Sequence, residues 1–239
     1  MAKKLAIDIG NTFSKAGLFE GEELLEVKER LGKVDLLCFV RDIRPDFVII
    51  CNVGGGKLNF FEEIADDFQI TYLDYTTHLP IQNDYASPKT LGMDRIAAAV
   101  GAYSLYQSQS NLIIDLGTCV TYDFITKQGV YKGGRISPGM RSRFRSMHEF
   151  TGTLPMIENA EAELNVGNDT RSCMISGVVN GLRAEIETCI TDFKSEFGDF
   201  NVILCGGDAK FFESRIKRSI FVNQHLVLHG LNRILETND

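Results

Sequence analysis

The feature of this sequence that most constrains its fold is an internal repeat. The segment IDIGNTFSKAGLF near the start aligns with IDLGTCVTYDFIT near the middle, which places Asp8 on Asp115 and Gly10 on Gly117. In each copy an apolar run typical of a buried strand ends at an Asp-x-Gly turn and is followed by another strand. Because a duplicated unit determines architecture before any single motif does, the repeat predicts two mixed α/β lobes built on one plan.

The rest of the chain extends both copies with alternating strands and helices. Apolar runs and helical periodicity, interrupted by Glu20-Gly21 and Pro45, predict these elements. Strands are predicted over 5–9, 16–19, 24–27, 47–52, 70–73, 112–114, 120–125 and 202–204, and helices over 34–43, 58–68, 94–106, 170–197, 226–235 and just after 208. No Pro- or Ser-rich linker separates the copies. The sequence therefore predicts domains over 1–107 and 108–239 with a cleft between them.

Composition excludes several functions. The chain has 239 residues, of which 44% are hydrophobic and 24% charged, so it can bury a substantial core and does not resemble a disordered chain. Its net charge is −7, and its basic residues form no cluster typical of a nucleic-acid site. The short run RSRFR over 141–145 is interpreted as a solvated helix face or a local anion contact. No nucleic-acid partner is expected.

The cysteines and apolar runs predict a cytoplasmic protein. Six cysteines are scattered without a Cys-x-x-Cys pair, as expected for reduced core residues. No apolar run has the length of a signal peptide's hydrophobic region or of a membrane span. His225 and His229 have the i, i+4 spacing of a metal pair on a helix, but no third ligand accompanies them, so no metal site is predicted there.

Both Asp-x-Gly turns have the chemistry of a phosphate site. Gly10 and Gly117 let the backbone approach a ligand, and turn N–H groups with the Thr12 and Thr118 hydroxyls can donate to phosphate oxygens. Phosphate would repel the two aspartates, so they are predicted to hold Mg²⁺, its water shell or a monovalent cation. One such sequence alone is most simply a tight turn. Two copies at equivalent positions of a repeat favour a nucleotide phosphate site.

Other nucleotide motifs are incomplete or missing. The segment GGGK over 54–57 resembles part of a Walker A loop, but Leu58 stands where Ser or Thr is required. No Gly-x-Gly-x-x-Gly follows a strand, so a dinucleotide site of the Rossmann type is not expected. Gly206, Gly207 and Asp208 lie between a strand and a helix, where they could pack against adenine or simply form a turn.

The motifs, in their order along the chain, resemble those of type III pantothenate kinases, of the acetate kinase, hexokinase, Hsp70 and actin superfamily. They are DIGNT from Asp8, GMDR from Gly92, DLGT from Asp115, GGRISPG from Gly133 and GGDA from Gly206, so the resemblance spans nearly the whole chain. It implies two ribonuclease H-like lobes, each a mixed sheet flanked by helices, with ATP in the cleft between them. It also implies transfer of the γ-phosphoryl group of ATP to the primary hydroxyl of pantothenate, which gives 4′-phosphopantothenate, the first step of coenzyme A biosynthesis.

The resemblance assigns roles to both turns. It implies contacts with ATP from Asp8, Ile9, Gly10, Asn11, Thr12, Phe13, Ser14, Lys15 and Thr118. It also implies that Asp115 binds an activating potassium or ammonium ion, and Mg²⁺ accompanies ATP. Lys15 can reach a phosphate as a point charge or can be an exposed strand lysine. Phe13 is bulky where relatives are often polar, and IICNVGGG replaces a small polar segment, which alters the expected shape of the first loop.

The resemblance also implies a pantothenate site. Its residues are Tyr85, Gly92, Met93, Asp94, Arg95 and Thr170. Asp94 is implied as the base that accepts the hydroxyl proton, and the Arg95 guanidinium can bind the substrate carboxylate in bidentate fashion. The structural alternatives are N-cap roles for Asp94 and Thr170 and a helix-surface ion pair for Arg95. In the family the helix from Thr170 belongs to a dimer interface, so a homodimer is expected.

Two other functions stay open at this point. The same fold could phosphorylate another small acid or a sugar, or could hydrolyse a phosphate. It could also be a nucleotide-binding regulator or a filament subunit without catalysis. Retention of Asp8, Asp94, Arg95 and Asp115 favours catalysis, and the chain is short for the additional subdomains of actin-like filament proteins.

Overall fold

The first sheet holds the first Asp-x-Gly turn at the end of a strand. The computed structural model describes residues 2–10, 13–54, 68–160 and 165–238. In these residues the first sheet has the order β3-β2-β1-β4-β5. Its strands are β1 (Lys3–Ile9), β2 (Ser14–Glu20), β3 (Glu23–Leu31), β4 (Phe47–Asn52) and β5 (Gln69–Tyr72). β1 is antiparallel to β2 and parallel to β4, so the carboxyl ends of β1 and β4 lie at the same edge.

The second sheet holds the second Asp-x-Gly turn in the same way. Its order is β11-β10-β7-β8-β9-β6. The strands are β6 (Gln82–Asn83), β7 (Ser110–Leu116), β8 (Cys119–Ile125), β9 (Val130–Pro138), β10 (Phe200–Cys205) and β11 (Phe221–Val222). Leu112, Ile113 and Ile114 on β7 are fully buried, as an apolar run at the centre of a sheet requires.

The helices follow the apolar patterns of the sequence. They are α1 (Lys33–Ile43), α2 (Met93–Leu105), α3 (Met140–Phe150), α4 (Thr170–Phe197), α5 (Ala209–Glu213) and α6 (Leu226–Asn238), with a single 3-10 turn at Pro88–Thr90. α1 ends where Arg44 adopts the left-handed conformation at φ 48°, directly before Pro45. Pro45 cannot continue the helix because it lacks the N–H group and fixes φ.

Contacts divide the chain into two compact units, and the N-terminal one is the first unit. It comprises Met1–Ser110, Phe124–Gly133 and His225–Asp239. α1 packs its apolar side chains against β1, β2 and β4 to form a core. α6 lies against α2 where Gly101 and Gly230 face each other, and a Cβ on Gly230 would stand 2.9 Å from the Gly101 nitrogen. Only glycine permits this approach of two helix backbones.

The second unit comprises Asn111–Asp123 and Gly134–Gln224. α4 supplies most of its helical core through side chains that recur at helical spacing: Met174, Ile175, Val178, Val179, Leu182, Ile186, Cys189, Ile190 and Phe193. The strands β7 and β10 contribute the buried apolar side chains opposite, among them Ile113 and Ile203. α3 contacts α4, and α5 contacts β10.

The predicted mixed α/β class is confirmed, and most predicted elements are present. The strand over 47–52 and the helix over 170–197 match residue for residue, and the hairpin turns at Gly21, which has φ 58°. The predicted helix over 58–68 falls almost entirely outside the described residues. β9 and α3 were not predicted, because their sequence is rich in glycine and polar residues. The boundary between 107 and 108 marks where the repeat restarts, and as a division of the fold it stays a prediction.

Two smaller expectations have outcomes in the structure. The run over 141–145 lies on α3, where Arg145 is exposed and pairs with Glu149, as expected of a solvated helix face. Arg143 differs, since it forms an ion pair with Glu185 on α4. His229 packs edge-on against Phe19 in the first unit, with ring centroids 5.5 Å apart. No helix in the described part of the chain is long and apolar enough to cross a membrane.

Candidate active site

The first Asp-x-Gly turn is fixed by strand pairing. Asp8 is half-buried on β1, in register with Lys15 on β2 and with Cys51 on β4. The parallel pairing of β1 with β4 therefore sets Asp8 beside Cys51. Of the predicted ATP contacts, Asn11 and Thr12 lie outside the described residues.

Backbone approach closes this turn. The N–H of Gly10 donates to the carbonyl of Phe13 at 3.2 Å, and the N–H groups of Val53 and Gly54 donate to the carbonyl of Ile9 at 3.0 and 3.2 Å. A Cβ on Gly54 would stand 2.8 Å from the Gly10 carbonyl oxygen. The Gly54 N–H also lies 3.2 Å from the Asn52 Oδ1, so these N–H groups are bonded within the chain and fix the shape of the described part of the turn.

Cys51 is a buried thiol on β4, in register with Asp8. Burial raises the pKa of the Cys51 thiol well above its usual range, and the charges of Asp8 and Asp94 raise it further. Both carboxylates thus act against ionisation of this thiol. Sequence reasoning did not single out Cys51, and only the register between β1 and β4 could have identified it.

Lys15 makes a specific contact beside the turn. Its ammonium Nζ lies 2.9 Å from the Glu29 Oε1 on β3. The hydrogen bond from Lys15 lowers the pKa of the Glu29 carboxyl, although burial opposes the shift. Lys15 is thus a half-buried, paired lysine on a strand rather than an exposed one, and its contact with ATP stays a prediction.

Asp94 lies in the first turn of α2, but it is not the N-cap. The N-cap is Gly92, and the Arg95 N–H donates to Asp94 Oδ1 at 2.9 Å. A Cβ on Gly92 would stand 2.5 Å from that same oxygen, so glycine leaves room for the carboxylate to fold back over the helix start. Negative charge is favoured at a helix N-terminus. The alternative in which Asp94 is the N-cap is therefore wrong. The start of the helix instead orients the Asp94 carboxylate.

Arg95 is buried beside an aromatic ring. Its relative exposure is 7%, which rules out the alternative of a helix-surface ion pair. The guanidinium carbon lies 5.7 Å from the ring centroid of Tyr85, a cation–π geometry. Tyr85 in turn packs on Gly133, where a Cβ would stand 3.0 Å from the ring. The structure thus brings together three predicted substrate residues, Tyr85, Asp94 and Arg95. It also places Gly133 against Tyr85, and the motif GGRISPG that contains Gly133 was the sequence feature from which this residue could have been identified.

The second Asp-x-Gly turn is packed against the loop that follows β10. Gly206 has φ 86°, and a Cβ there would stand 2.7 Å from the backbone of Leu116 and would overlap Asp115 Oδ1. The N–H of Asp208 donates to the Leu116 carbonyl at 3.0 Å. Gly206 is thus required both for its left-handed conformation and for space. The structure therefore joins two motifs, DLGT and GGDA, that are far apart in the sequence.

A pocket of about 320 Å³ lies beside this loop in the second unit. Its lining residues are Met140, Arg141, Glu158, Asn159, Ala160, Asp208, Phe211 and Arg215. Burial raises the pKa of the Asp208 carboxyl, and the positive charge of Arg141 offsets part of that shift. The Arg215 guanidinium carbon lies 3.9 Å from the Phe211 ring centroid, so a flat cationic surface covers the ring.

Thr170 is the first residue of α4, and Asp169 is its N-cap. The Asp169 carboxylate accepts from the Ser172 N–H at 2.9 Å, and the Ser172 hydroxyl accepts from the Asp169 N–H at 3.1 Å. This reciprocal pair is a capping box. The alternative in which Thr170 caps the helix is therefore wrong. Its side chain is exposed, and its contact with substrate stays a prediction.

The carboxylates fit Mg²⁺ brought in by a nucleotide better than a permanently bound metal. Among residues 2–10, 13–54, 68–160 and 165–238, no three His, Cys, Asp or Glu side chains cluster closely enough to hold a metal ion. Asp8, at the end of β1 beside the first turn, does fit an ion that keeps water and phosphate oxygens as its other ligands. His225 and His229 do not belong to such a cluster.

The two mixed sheets, each with an Asp-x-Gly turn at the end of an inner strand, form a fold of the actin-like class. A ROK hexokinase from Thermus thermophilus shares the fold at a TM-score of 0.52, with 12% identity over 99% of both chains. A Campylobacter jejuni protein described as a Baf-family transcriptional activator shares it at a TM-score of 0.64, with 20% identity over 98% of both chains.

Sequence comparison then narrows the class. The model of the type III pantothenate kinase family matches residues 4–192. A type III pantothenate kinase from Cytophaga hutchinsonii is 41% identical over 234 residues, which cover 98% of this chain and 99% of that one. The chain therefore belongs to the type III pantothenate kinase family, as the order of its motifs predicted.

Proposed function

We propose that this protein transfers the γ-phosphoryl group of ATP to the primary hydroxyl of pantothenate, giving ADP and 4′-phosphopantothenate. Membership of the type III pantothenate kinase family supports the proposal. The observation that carries it is the start of α2, where Asp94 accepts from the Arg95 N–H and the buried Arg95 guanidinium lies beside the Tyr85 ring. Asp8 ends a strand at a phosphate-type turn, and Asp94 begins the helix that carries Arg95. Groups suited to phosphate and to an acceptor both belong to the first unit.

In this proposal the start of α2 handles pantothenate. Asp94 orients the attacking hydroxyl and accepts its proton, a role that needs a carboxylate held in one position. The bond from the Arg95 N–H provides that position. The buried Arg95 guanidinium binds the substrate carboxylate, and Tyr85 covers the opposite face of the guanidinium. Gly92 and Met93 contribute the adjoining backbone, and Thr170 is a further contact implied by the family.

ATP is assigned to residues 8–15 and to Thr118. The backbone N–H groups of the first turn bind phosphate oxygens, and Asp8 would hold Mg²⁺ directly or through water. Mg²⁺ held there would supply positive charge that offsets the negative charge of the phosphates. Asp115 is assigned to a potassium or ammonium ion. Its half-buried carboxylate lies beside Gly206, and a carboxylate oxygen can ligate a monovalent cation.

A homodimer is proposed through α4. Gly177 and Gly181 lie one turn apart on this helix, and within the described chain no atom comes within 4 Å of the position of a Cβ on either. Small residues on one face allow close approach of a second helix. Sedimentation equilibrium tests this proposal, since a monomer at micromolar concentration would contradict it.

The enzymatic proposal is tested by ADP release from Mg-ATP in potassium buffer, with pantothenate, acetate or glucose added in turn. Release that depends on pantothenate is the expected result, and replacing potassium by sodium should reduce it if Asp115 binds the monovalent ion. Release without any acceptor would indicate a phosphatase. Binding of ATP without release under any condition would indicate a nucleotide-binding regulator.

A further inference from the structure

A polar cluster in the second unit is centred on Glu185, in the middle of α4. Glu185 Oε1 accepts hydrogen bonds from the Tyr122 hydroxyl at 2.8 Å and from the Ser137 hydroxyl at 2.5 Å. Its other oxygen, Oε2, forms an ion pair with the Arg143 guanidinium. The cluster thus joins β8, β9, α3 and α4 through one carboxylate. No role in the proposed reaction accounts for it.

The protonation states of the cluster keep it intact at neutral pH. Burial works to raise the pKa of Glu185, but the hydrogen bonds from Ser137, Arg143 and Tyr122 outweigh burial, and the pKa is lowered. Burial, together with the Glu185 charge, raises the pKa of Tyr122, so its phenol stays protonated and donates. Glu185 is therefore a permanent anion to which Arg143 stays paired.

Arg143 links this anion to the turn before α3. Its Nε donates to the Pro138 carbonyl at 2.8 Å, while its Nη2 contacts Glu185. A guanidinium can make both contacts at once because its donors form a rigid planar fork, whereas a lysine ammonium is a point charge on a flexible stem. Arg143 therefore fixes the backbone of residues 138–139 relative to α4.

That backbone holds the second Asp-x-Gly turn. The Gly139 N–H donates to the Thr118 carbonyl at 3.0 Å, and the Ser142 hydroxyl donates to the same oxygen at 2.6 Å. A Cβ on Gly139 would stand 2.8 Å from that oxygen and would overlap the Gly117 carbonyl. Since a peptide unit is planar, fixing the Thr118 carbonyl also fixes the N–H of Cys119 and so restrains the backbone at the end of the turn.

We propose that Glu185, Arg143 and Ser142 are positioning residues that hold the turn over residues 115–118 in the conformation that binds ATP. None of them is assigned a contact with substrate. They act through Gly139 and the Thr118 carbonyl. This proposal rests on the assignment of the turn to ATP within the proposed function.

The sharpest test compares two serines on α3. Ser142→Ala removes the hydroxyl that bonds the Thr118 carbonyl, whereas Ser146→Ala removes a hydroxyl that bonds only the Arg143 carbonyl of its own helix, at 2.9 Å. Calorimetric titration with Mg²⁺ and adenosine β,γ-imidotriphosphate should give a Kd about fivefold higher for Ser142→Ala, the loss of roughly one hydrogen bond. The Kd of Ser146→Ala should equal that of the wild type. Equal Kd values for the two variants would overturn the proposal.

A second pair of variants tests whether the contacts of Arg143 with Glu185 and Pro138 hold the second turn in place. Arg143→Lys keeps the charge opposite Glu185 but cannot also bond Pro138, and Glu185→Gln keeps the shape but loses the charge. Each should raise the Kd for the analogue about tenfold, because a charge-assisted contact is lost. In turnover, each should raise KM for ATP and leave KM for pantothenate unchanged. Equal rises in both KM values would indicate a general loss of structure and would overturn the positioning role.

The two proposals fail in different ways. Calorimetry with the analogue requires no acceptor, so it measures the turn whatever the acceptor is. If the wild type binds the analogue but shows no pantothenate-dependent ADP release, the proposed function is refuted and the positioning role is still measured. If the wild type does not bind the analogue, the positioning role itself is refuted.

Discussion

The two Asp-x-Gly turns have the same sequence pattern and follow equivalent strands, yet their surroundings differ. The first turn is closed by a hydrogen bond from Gly10 to a carbonyl three residues on, at 3.2 Å. Its bracing comes from the neighbouring strand of its own sheet, whose end places Gly54 against Gly10. Beside it lie two carboxylates, Asp8 and Asp94, whose charges act on the same buried Cys51.

The second turn is tighter and is held by distant parts of the sequence. Gly117 donates to a carbonyl two residues on, at 3.0 Å. Gly206, after β10, packs on Asp115 and Leu116, and Gly139, before α3, packs on the carbonyls of the turn itself. A single aspartate belongs to this turn, and later segments supply its restraint.

A duplicated motif can thus keep its backbone chemistry while its copies take separate tasks. The first copy shares its unit with a carboxylate oriented by a helix start and with a buried arginine, as a reacting centre needs. The second copy has close contacts with Gly139 and Gly206, and its Thr118 carbonyl accepts two hydrogen bonds, as a rigid binding loop needs. Changes around the first copy should therefore alter turnover or pantothenate affinity, and changes around the second should alter ATP affinity or stability.

The largest effect should come from Asp94→Asn. Asparagine keeps the size of the side chain but cannot accept the hydroxyl proton, so kcat for pantothenate-dependent ADP release should fall about a thousandfold, within the range for loss of a general base. The Kd for adenosine β,γ-imidotriphosphate should not change. Asp42→Asn, at an exposed position on α1, is the matched control and should behave as wild type. Activity of Asp94→Asn equal to that of Asp42→Asn would remove Asp94 from the mechanism.

Among the glycine substitutions at the two turns, Gly206→Ala should lower the free energy of unfolding most. A Cβ there meets the backbone of Leu116 at 2.7 Å and forces alanine into φ 86°, so the free energy of unfolding should fall by at least about 2 kcal/mol. Gly207→Ala is the matched control, because no described atom lies within 4 Å of its Cβ position. Gly54→Ala, which adds a contact at 2.8 Å without a left-handed φ, should fall between the two in urea unfolding. The reverse ranking would contradict the account of the second turn.

A smaller, more selective effect is expected from Arg95→Lys. Lysine keeps the positive charge but cannot bind a carboxylate in bidentate fashion or stack as a plane on Tyr85. KM for pantothenate should rise about tenfold, while KM for ATP stays unchanged. Steady-state kinetics with each substrate varied in turn measures both constants. A rise confined to KM for ATP would place Arg95 at the nucleotide instead.

The sequence predicted what depends on local pattern. Apolar runs defined the strands that end at Asp8 and Asp115, and the periodicity of the long helix gave its limits from Thr170 to Phe197. The cap of that helix was misassigned by one residue, since Asp169 and Thr170 both have suitable side chains and only the hydrogen bonds of Ser172 distinguish them.

Contacts between distant residues could not be predicted in this way. The position of Cys51 beside Asp8 depends on a parallel register that no local pattern encodes. The burial of Arg95 likewise requires Tyr85, which the sequence places ten residues earlier on an irregular segment. Gly139 and Ser142, which contact the second turn, lie in a stretch that contains glycine and proline and has no clear period. Tertiary contacts decided each of these positions.

The smallest predicted effect is a pH-dependent gain in stability from Asp208→Asn. Burial raises the pKa of Asp208, so the folded chain holds this proton more tightly than the unfolded chain. The free energy of unfolding therefore loses this contribution as pH rises from the unfolded pKa through the folded pKa. Asparagine does not titrate, so the variant should gain stability relative to wild type at about pH 7. It should gain less at about pH 3, below the ordinary pKa of an aspartate, where Asp208 is protonated in both the folded and the unfolded chain. Urea unfolding at the two pH values measures the difference, and Asp199→Asn, with a side chain 83% exposed, is the control. A gain of the same size at both pH values would show that the loop after β10 does not penalise the charge of Asp208, and that the pocket beside the second turn is as well solvated as the surface.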